Sequence, residues 1–177
     1  MKSSVIVFPG SNCDHDAYHV FQHILNVSVD FVWHKETNLE KYDGIIIPGG
    51  FSYGDYLRTG AIARFSPIME SVIKKANSGT PVIGICNGFQ ILIETGLLPG
   101  ALIVNQDVRF LSRNVTLEVS TIDSIYTRLL KKGQKLTMPI AHKQGNFIAD
   151  EDTLKMLEDG DRIAFRYDKT KDGNPNG

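Results

Sequence analysis

Cys86 sits where a reactive thiol can be built. The run Val82-Ile83-Gly84-Ile85 is short, apolar and strand-like, and it stops at Cys86; Asn87-Gly88-Phe89-Gln90-Ile91-Leu92 then reads as the start of a helix. A turn between a buried strand and a helix N-terminus pushes its side chain outward. The helix end adds free N–H groups and a partial positive charge that favour an anionic sulfur. Gly84 and Gly88 flank the turn, where a sharp bend leaves no room for a Cβ. A free cysteine is more often a small core hydrophobe, and it is the G-x-C-x-G setting that argues for exposure. A thiolate attacking an amide or ester forms a thioester, and it needs a base, a carboxylate to orient that base, and two N–H donors for the oxyanion. The N–H groups of Asn87 and Gly50 suit the donor roles, and His142 is the only histidine at a plausible loop end.

Two rival chemistries are weaker. Gly50-Phe51-Ser52-Tyr53-Gly54 matches the serine elbow G-x-S-x-G, but Pro48-Gly49-Gly50 has already ended the strand and no helix begins until about Arg58. Gly49-Gly50 reads better as bare backbone able to approach a ligand. His15, His19 and His23 recur at helical spacing without a matching cysteine or carboxylate cluster, so a solvated helix face is expected there rather than a metal site. No phosphate loop of the G-x-x-x-x-G-K-[ST] type occurs.

The elements that would position Cys86 alternate. Ser4 to Phe8 predicts a buried strand stopped by Pro9-Gly10. Asp14 to Leu25 predicts a helix, with Ala17, Val20, Phe21, Ile24 and Leu25 on its core face. Val27 to Trp33 and Gly44 to Ile47 predict strands, Ala61 to Asn77 a helical stretch broken and restarted at Pro67, and Pro81 opens a fourth strand. This is the βα alternation of an α/β protein, a mostly parallel sheet with helices on both faces. Ligands in such sheets collect beyond the carboxyl ends of the strands. Three loops fit that place: Pro9 to Asp14, Pro48 to Asp55, and Cys86 to Gln90. After Gly96 strands and turns dominate: an alternating strand at Val115 to Val119, another at Lys135 to Ile140, and a turn through His142 to Phe147. A short helix at Asp152 to Leu157 follows, capped by Asp152 or Thr153, then a strand at Ile163 to Tyr167 and a polar, turn-rich tail from Asp168 to Gly177.

With 177 residues, 42% hydrophobic and 22% charged, the chain suits a single domain over residues 1–177. A net charge of −1 with no basic run gives nucleic-acid binding no support, and no apolar stretch approaches membrane-span length. Two cysteines, Cys13 and Cys86, and no secretory leader point to reduced thiols in the cytoplasm.

The motifs carry a resemblance. Gly84-Ile85-Cys86-Asn87-Gly88-Phe89-Gln90 resembles the nucleophile turn of class I (triad-type) glutamine amidotransferases. With Val7 to Asp14, Ile47 to Arg58, Gly96 to Gly100 and Pro139 to His142, the chain resembles, from its first strand to its last residue, the glutaminase subunits of phosphoribosylformylglycinamidine synthase. The resemblance implies a flavodoxin-like fold and the following roles. Cys86 attacks the side-chain amide of glutamine, Gly50 and Asn87 hold the oxyanion, Gln90 contacts the substrate, and the loop carrying His142 and Gly145 grips its amino-acid end. It implies no cofactor in this subunit. The partners would be a synthetase subunit that uses ATP and Mg to make the amidine in purine biosynthesis, and a small bridging subunit.

Two departures stand out. Lys143-Gln144 follows the loop histidine where the family has Gly-Glu, which changes the contacts expected there. The family's base and its carboxylate lie in a His-Pro-Glu motif that does not occur in this sequence. The chain is therefore expected to be C-terminally incomplete, lacking the last strand and helix, with little glutaminase activity alone and an exposed sheet edge. The alternatives are an inactive scaffold subunit, His142 standing in as base, or another cysteine-elbow α/β hydrolase.

Overall fold

The computed structural model describes residues 1–170 and 173–176. Lys171, Asp172 and Gly177, which belong to the expected turn-rich tail, lie outside the described residues. The chain forms two compact units, residues 1–99 and 100–177.

The first unit is built on four parallel strands, β1 (Lys2–Val7), β2 (Ser28–Trp33), β3 (Gly44–Ile47) and β4 (Val82–Gly84), in the order β2-β1-β3-β4. Side chains alternate across such strands, so each strand feeds two cores. On one face Ile6, Phe8, Val32, Ile45 and Ile47 pack with Ile68, Met69 and Val72 of α2 (Pro67–Asn77) and with Ile91 and Leu92 of α3 (Asn87–Glu94). On the other, Val5, Val29 and Ile46 pack with Ala17 of α1 (Asp14–His19). The break at Pro67 occurs as expected, with Ser66 extended before it and Pro67 opening α2.

The helix expected over Asp14 to Leu25 needs correction. It is α-helical only to His19 and continues as a π-helix, Val20–Ile24, closed by Leu25 N–H donating to the Val20 carbonyl at 2.9 Å. Five-residue hydrogen bonds shift the helical register. Val20, Ile24 and Leu25, which the 3.6-residue period assigns to the core, are exposed as a result, while Phe21 keeps a partly buried contact with the core.

The second unit is antiparallel. β5 (Ala101–Ile103) pairs with β8 (Asn146–Ile148), and β6 (Leu111–Val119) lies between β7 (Lys135–His142) and β9 (Phe165–Tyr167). Pro139 is accommodated because β7 is an edge strand. The helix α4 (Glu151–Asp159) starts earlier than its spacing suggests. Its cap is Asp150, whose Oδ1 accepts from Thr153 N–H at 2.7 Å, rather than Asp152 or Thr153. Among the described residues, no helix is long and apolar enough to cross a membrane.

Candidate active site

The three loops named from the sequence lie at the carboxyl ends of β1, β3 and β4, and two of them zip together through their backbones. Phe51 N–H donates to the Gly10 carbonyl (2.9 Å), Tyr53 N–H to Pro9 (2.6 Å) and Cys13 N–H to Gly49 (3.3 Å). Glycine is required at Gly10 and Gly50. Their φ values are +83° and +127°, and a Cβ would fall 2.4 Å from the Phe51 carbonyl oxygen and 2.3 Å from Asn12 N.

Cys86 follows β4 and caps α3 with φ 53° and ψ −108°, and its side chain is exposed. Left-handed backbone in a residue with a Cβ is costly, on the order of 1–3 kcal/mol, and persists where the surroundings impose it. Here they do. Ile85 N–H donates to the Ile47 carbonyl (3.0 Å), Gly88 N–H to Ile85 (2.9 Å) and Gln90 N–H to Cys86 (3.2 Å). Gly84 and Gly88 are needed for a different reason from the bend expected of them. A Cβ on Gly88 would meet the Ile47 carbonyl oxygen at 2.0 Å, and one on Gly84 the Gly88 carbonyl oxygen at 2.6 Å. Neither has a positive φ. They allow α3 to press its backbone onto β3 and β4, which holds the nucleophile turn in place.

Gly49 separates the two thiols. A Cβ built on it would be 3.4 Å from Cys86 Cβ and 3.7 Å from Cys13 Cβ. Burial, reinforced by the negative charge of Asp16, pushes the Cys13 thiol up.

Asn87 does more than present a backbone N–H. Its side chain is buried, and all four of its hydrogen-bonding positions are filled. Oδ1 accepts from Ser52 N–H (3.1 Å) and from Ser52 Oγ (2.5 Å), while Nδ2 donates to Asp55 Oδ1 and to Gln90 Oε1, both at 3.0 Å. Ser52 is thereby settled as structural: its hydroxyl is buried and engaged, in a 3-10 turn rather than at a strand–helix elbow. Gln90, expected from the resemblance to meet substrate, is buried on the first turn of α3 with its amide oxygen held by Asn87. Burial pushes the Asp55 carboxyl up, against the hydrogen bonds from Asn87 and the Gly60 N–H that favour its charged form. Arg58 closes the same loop onto α3 with a two-point pair to Glu94, both contacts at 2.7 Å.

Of the histidines proposed for a solvated face, His15 donates or accepts through Nδ1 with Asp14 Oδ1 at 2.8 Å and lies against the Phe31 ring.

In the second unit, His142 and Gly145 come together, so closely that a Cβ on Gly145 would be 2.2 Å from His142 Nδ1. The organiser is Asn105, which carries no sequence signal. It is 2% exposed, and its Nδ2 donates to the carbonyls of Arg109 (2.7 Å) and His142 (2.8 Å). That fixes the amide's orientation, so Oδ1 accepts from Gly145 N–H (3.2 Å) and from His142 Nδ1 (2.9 Å). His142 therefore carries its proton on Nδ1 and presents Nε2 as an acceptor. Burial holds its pKa below the usual histidine value, which keeps the ring neutral at pH 7.

Comparison with known proteins gives the family and the fold. The chain matches the CobB/CobQ-like glutamine amidotransferase domain over residues 1–177. It is 53% identical, over 182 aligned positions, to the phosphoribosylformylglycinamidine synthase subunit PurQ of Koribacter versatilis, an alignment covering 100% of this chain and 79% of that protein. The structure of PurLQS from Thermotoga maritima superposes with a TM-score of 0.86 at 41% identity, covering 99% of this chain and 77% of that one. The glutaminase domain of Trypanosoma brucei CTPS, solved with bound acivicin, shares the fold at a TM-score of 0.58 and 14% identity, over 96% of this chain and 76% of that one. The chain belongs to the glutamine amidotransferase family, and within it to the PurQ-type subunits of phosphoribosylformylglycinamidine synthase.

Proposed function

We propose that this chain is a glutaminase subunit in which Cys86 opens the side-chain amide of glutamine and supplies ammonia to a synthetase. The observation that carries the reading is the exposed Cys86 at φ 53°, set between β4 and α3 beside the bare Gly49-Gly50 backbone. The Cys86 sulfur attacks the amide carbon. The carbonyl oxygen takes the negative charge and is received by the N–H groups of Gly50 and Asn87. The C–N bond breaks, nitrogen leaves as ammonia after accepting the proton that the Cys86 thiol gives up, and water hydrolyses the thioester to glutamate and free thiol. Gln90 contacts the bound glutamine, while His142 and the Gly145 backbone receive its amino-acid end. The unprotonated Nε2 of His142 suits the α-ammonium group.

Residues 1–177 together match one glutamine amidotransferase domain. The ammonia serves a synthetase subunit that consumes ATP with Mg and forms formylglycinamidine ribonucleotide, with a small bridging subunit completing a cytoplasmic complex. This subunit itself uses no cofactor. The similarity to PurLQS supports the synthetase pairing.

The test is Cys86→Ala in the complex with the synthetase. Glutamine-dependent amidine formation is expected to be lost, by at least about 1,000-fold, while ammonia-dependent formation persists. Glutamine-dependent turnover in that variant would sink the assignment. Labelling of Cys86 by diazo-oxo-norleucine, read by mass spectrometry, separates a glutaminase from other cysteine-elbow hydrolases. Ammonia release by the 177-residue chain alone, compared with the complex, tests the expectation that the isolated chain is a poor catalyst.

A further inference from the structure

We propose that the Asn87 side chain is a positioning residue that sets the oxyanion loop against the nucleophile. The proposal rests on the reading of Cys86 as the glutaminase nucleophile. Asn87 is covalently next to Cys86, and its amide reaches across to Ser52, two residues beyond the oxyanion donor Gly50. One rigid group therefore joins the two chain segments whose separation decides whether an oxyanion forming on the substrate meets both N–H donors.

The loop on the far side needs such a tie. Tyr53, Asp55 and Leu57 all have left-handed backbone, with φ of 56°, 52° and 72°, in a stretch of five residues that includes one glycine. That geometry is unfavourable in isolation. Asn87 meets it at two points, Ser52 and Asp55, and the Arg58–Glu94 pair and the close approach of Gly60 to the Gln90–Ile91 backbone continue the seam along α3. The side chain is 1% exposed and has no unfilled position, so its part is to hold other groups in place and not to touch substrate. Gln90 is linked to the same amide, so the substrate-contacting residue and the oxyanion loop move as one piece.

The chemistry of the Asn87–Asp55 contact provides a selective test. Asn87→Asp keeps size and acceptor capacity but removes the donor, placing one carboxyl against another across the 3.0 Å contact. Asp55→Asn added to it restores a donor and an acceptor with the roles exchanged. The assay is steady-state glutamine-dependent turnover by the complex with the synthetase, and ammonia-driven turnover of the same preparation reports assembly. For Asn87→Asp the expected result is a fall in kcat of about 10- to 100-fold, larger than the rise in KM for glutamine that follows from releasing Gln90. The N87D/D55N double variant is expected to recover about tenfold of that loss, which a merely space-filling role for Asn87 would not produce.

An unchanged kcat in Asn87→Asp, or no recovery in the double variant, overturns the proposal. If Asn87→Asp fails to assemble, Ser52→Ala decides, since it removes only the hydroxyl arm and leaves the Ser52 N–H contact. A kcat lowered severalfold supports the tie, and an unchanged one overturns it. Cys86→Ala run alongside separates the two levels: turnover surviving in that variant overturns the glutaminase reading and this proposal together, whereas a dead Cys86→Ala with normal Asn87 variants overturns only the proposal.

Discussion

Asn87 and Asn105 are both buried, and each fills all four hydrogen-bonding positions of its side-chain amide, yet they act in surroundings of opposite kinds. Around Asn87 the backbone is already confined. Gly88 lies against the Ile47 carbonyl, and a core of Ile45, Ile47, Ile68, Met69 and Ile91 lies beneath. Around Asn105 little else confines the chain. Among the described residues of 100–177, Val115 and Val119 are the only buried hydrophobic side chains, and loop order rests on polar contacts. Apolar packing sets positions without regard to direction, whereas hydrogen bonds set direction at short range. The nucleophile turn has both. The His142 loop relies on the second alone.

That contrast can be broken or sharpened by substitution. The largest effect is expected at Gly88→Ala. The new Cβ would require α3 to move off β3, at a cost of about 3 kcal/mol or more, read as a lower melting temperature and loss of glutamine-dependent turnover. If the variant melts like the parent, the first unit is not confined by backbone contact in the way described.

A smaller and more local effect is expected at Asn105→Ala. It leaves the Arg109 and His142 carbonyls and the Gly145 N–H without their partner, a cost of about 1–3 kcal/mol. Amide hydrogen exchange should quicken at Gly145 and its neighbours and stay unchanged in β1, β3 and α3, and KM for glutamine should rise while the Cys86 labelling rate at saturating analogue holds. Faster exchange throughout the first unit would contradict the local role.

The smallest effect is an acid sensitivity. Asp168 accepts from Thr170 Oγ1 (2.7 Å) and Thr170 N–H (3.0 Å) and pairs with Lys135 at 3.2 Å. The Thr170 hydrogen bonds, with help from Lys135, hold its carboxyl down at about 2, below the usual carboxylate range. A depressed carboxylate stabilises the fold above its unfolded pKa and loses that contribution as pH falls through the folded value. The second unit should therefore weaken between about pH 4 and pH 2. In Asp168→Asn the difference between melts at the two ends of that window should shrink, and an unaltered difference would assign the acid sensitivity elsewhere.

Much of the first unit was legible in the sequence because its signals are local. Ser4 to Phe8 and Gly44 to Ile47 are compact apolar runs closed by Pro, and each forms a buried parallel strand or its core, while the run Val82 to Ile85 before Cys86 supplies the half-buried strand β4. The restart at Pro67 was equally plain, since proline removes a donor that only a first helical turn can spare. Local signals misled where long-range contacts intervened. The apolar spacing of Val20, Ile24 and Leu25 implied a buried face, but the π turn beginning at Val20 rotated those residues outward. The cap of α4 was misplaced by two or three residues because several adjacent acidic and hydroxyl groups compete for that role, and only the Asp150–Thr153 contact decides it.

What the sequence by itself determined is a local arrangement. A cysteine between an apolar strand and a helix start, with glycines on either side, is a pattern set by residue types a few positions apart. What only the tertiary structure decided is which groups surround it. Asn87 lies 35 residues from Ser52 and 32 from Asp55, and Asn105 lies 37 from His142. No periodicity or motif encodes such pairs, because a hydrogen bond between distant residues depends on where the folded sheet places its loops. The reason Gly84 and Gly88 must be glycine belongs to the same level: the sequence suggested a sharp bend, and the structure shows a helix backbone lying directly on a strand.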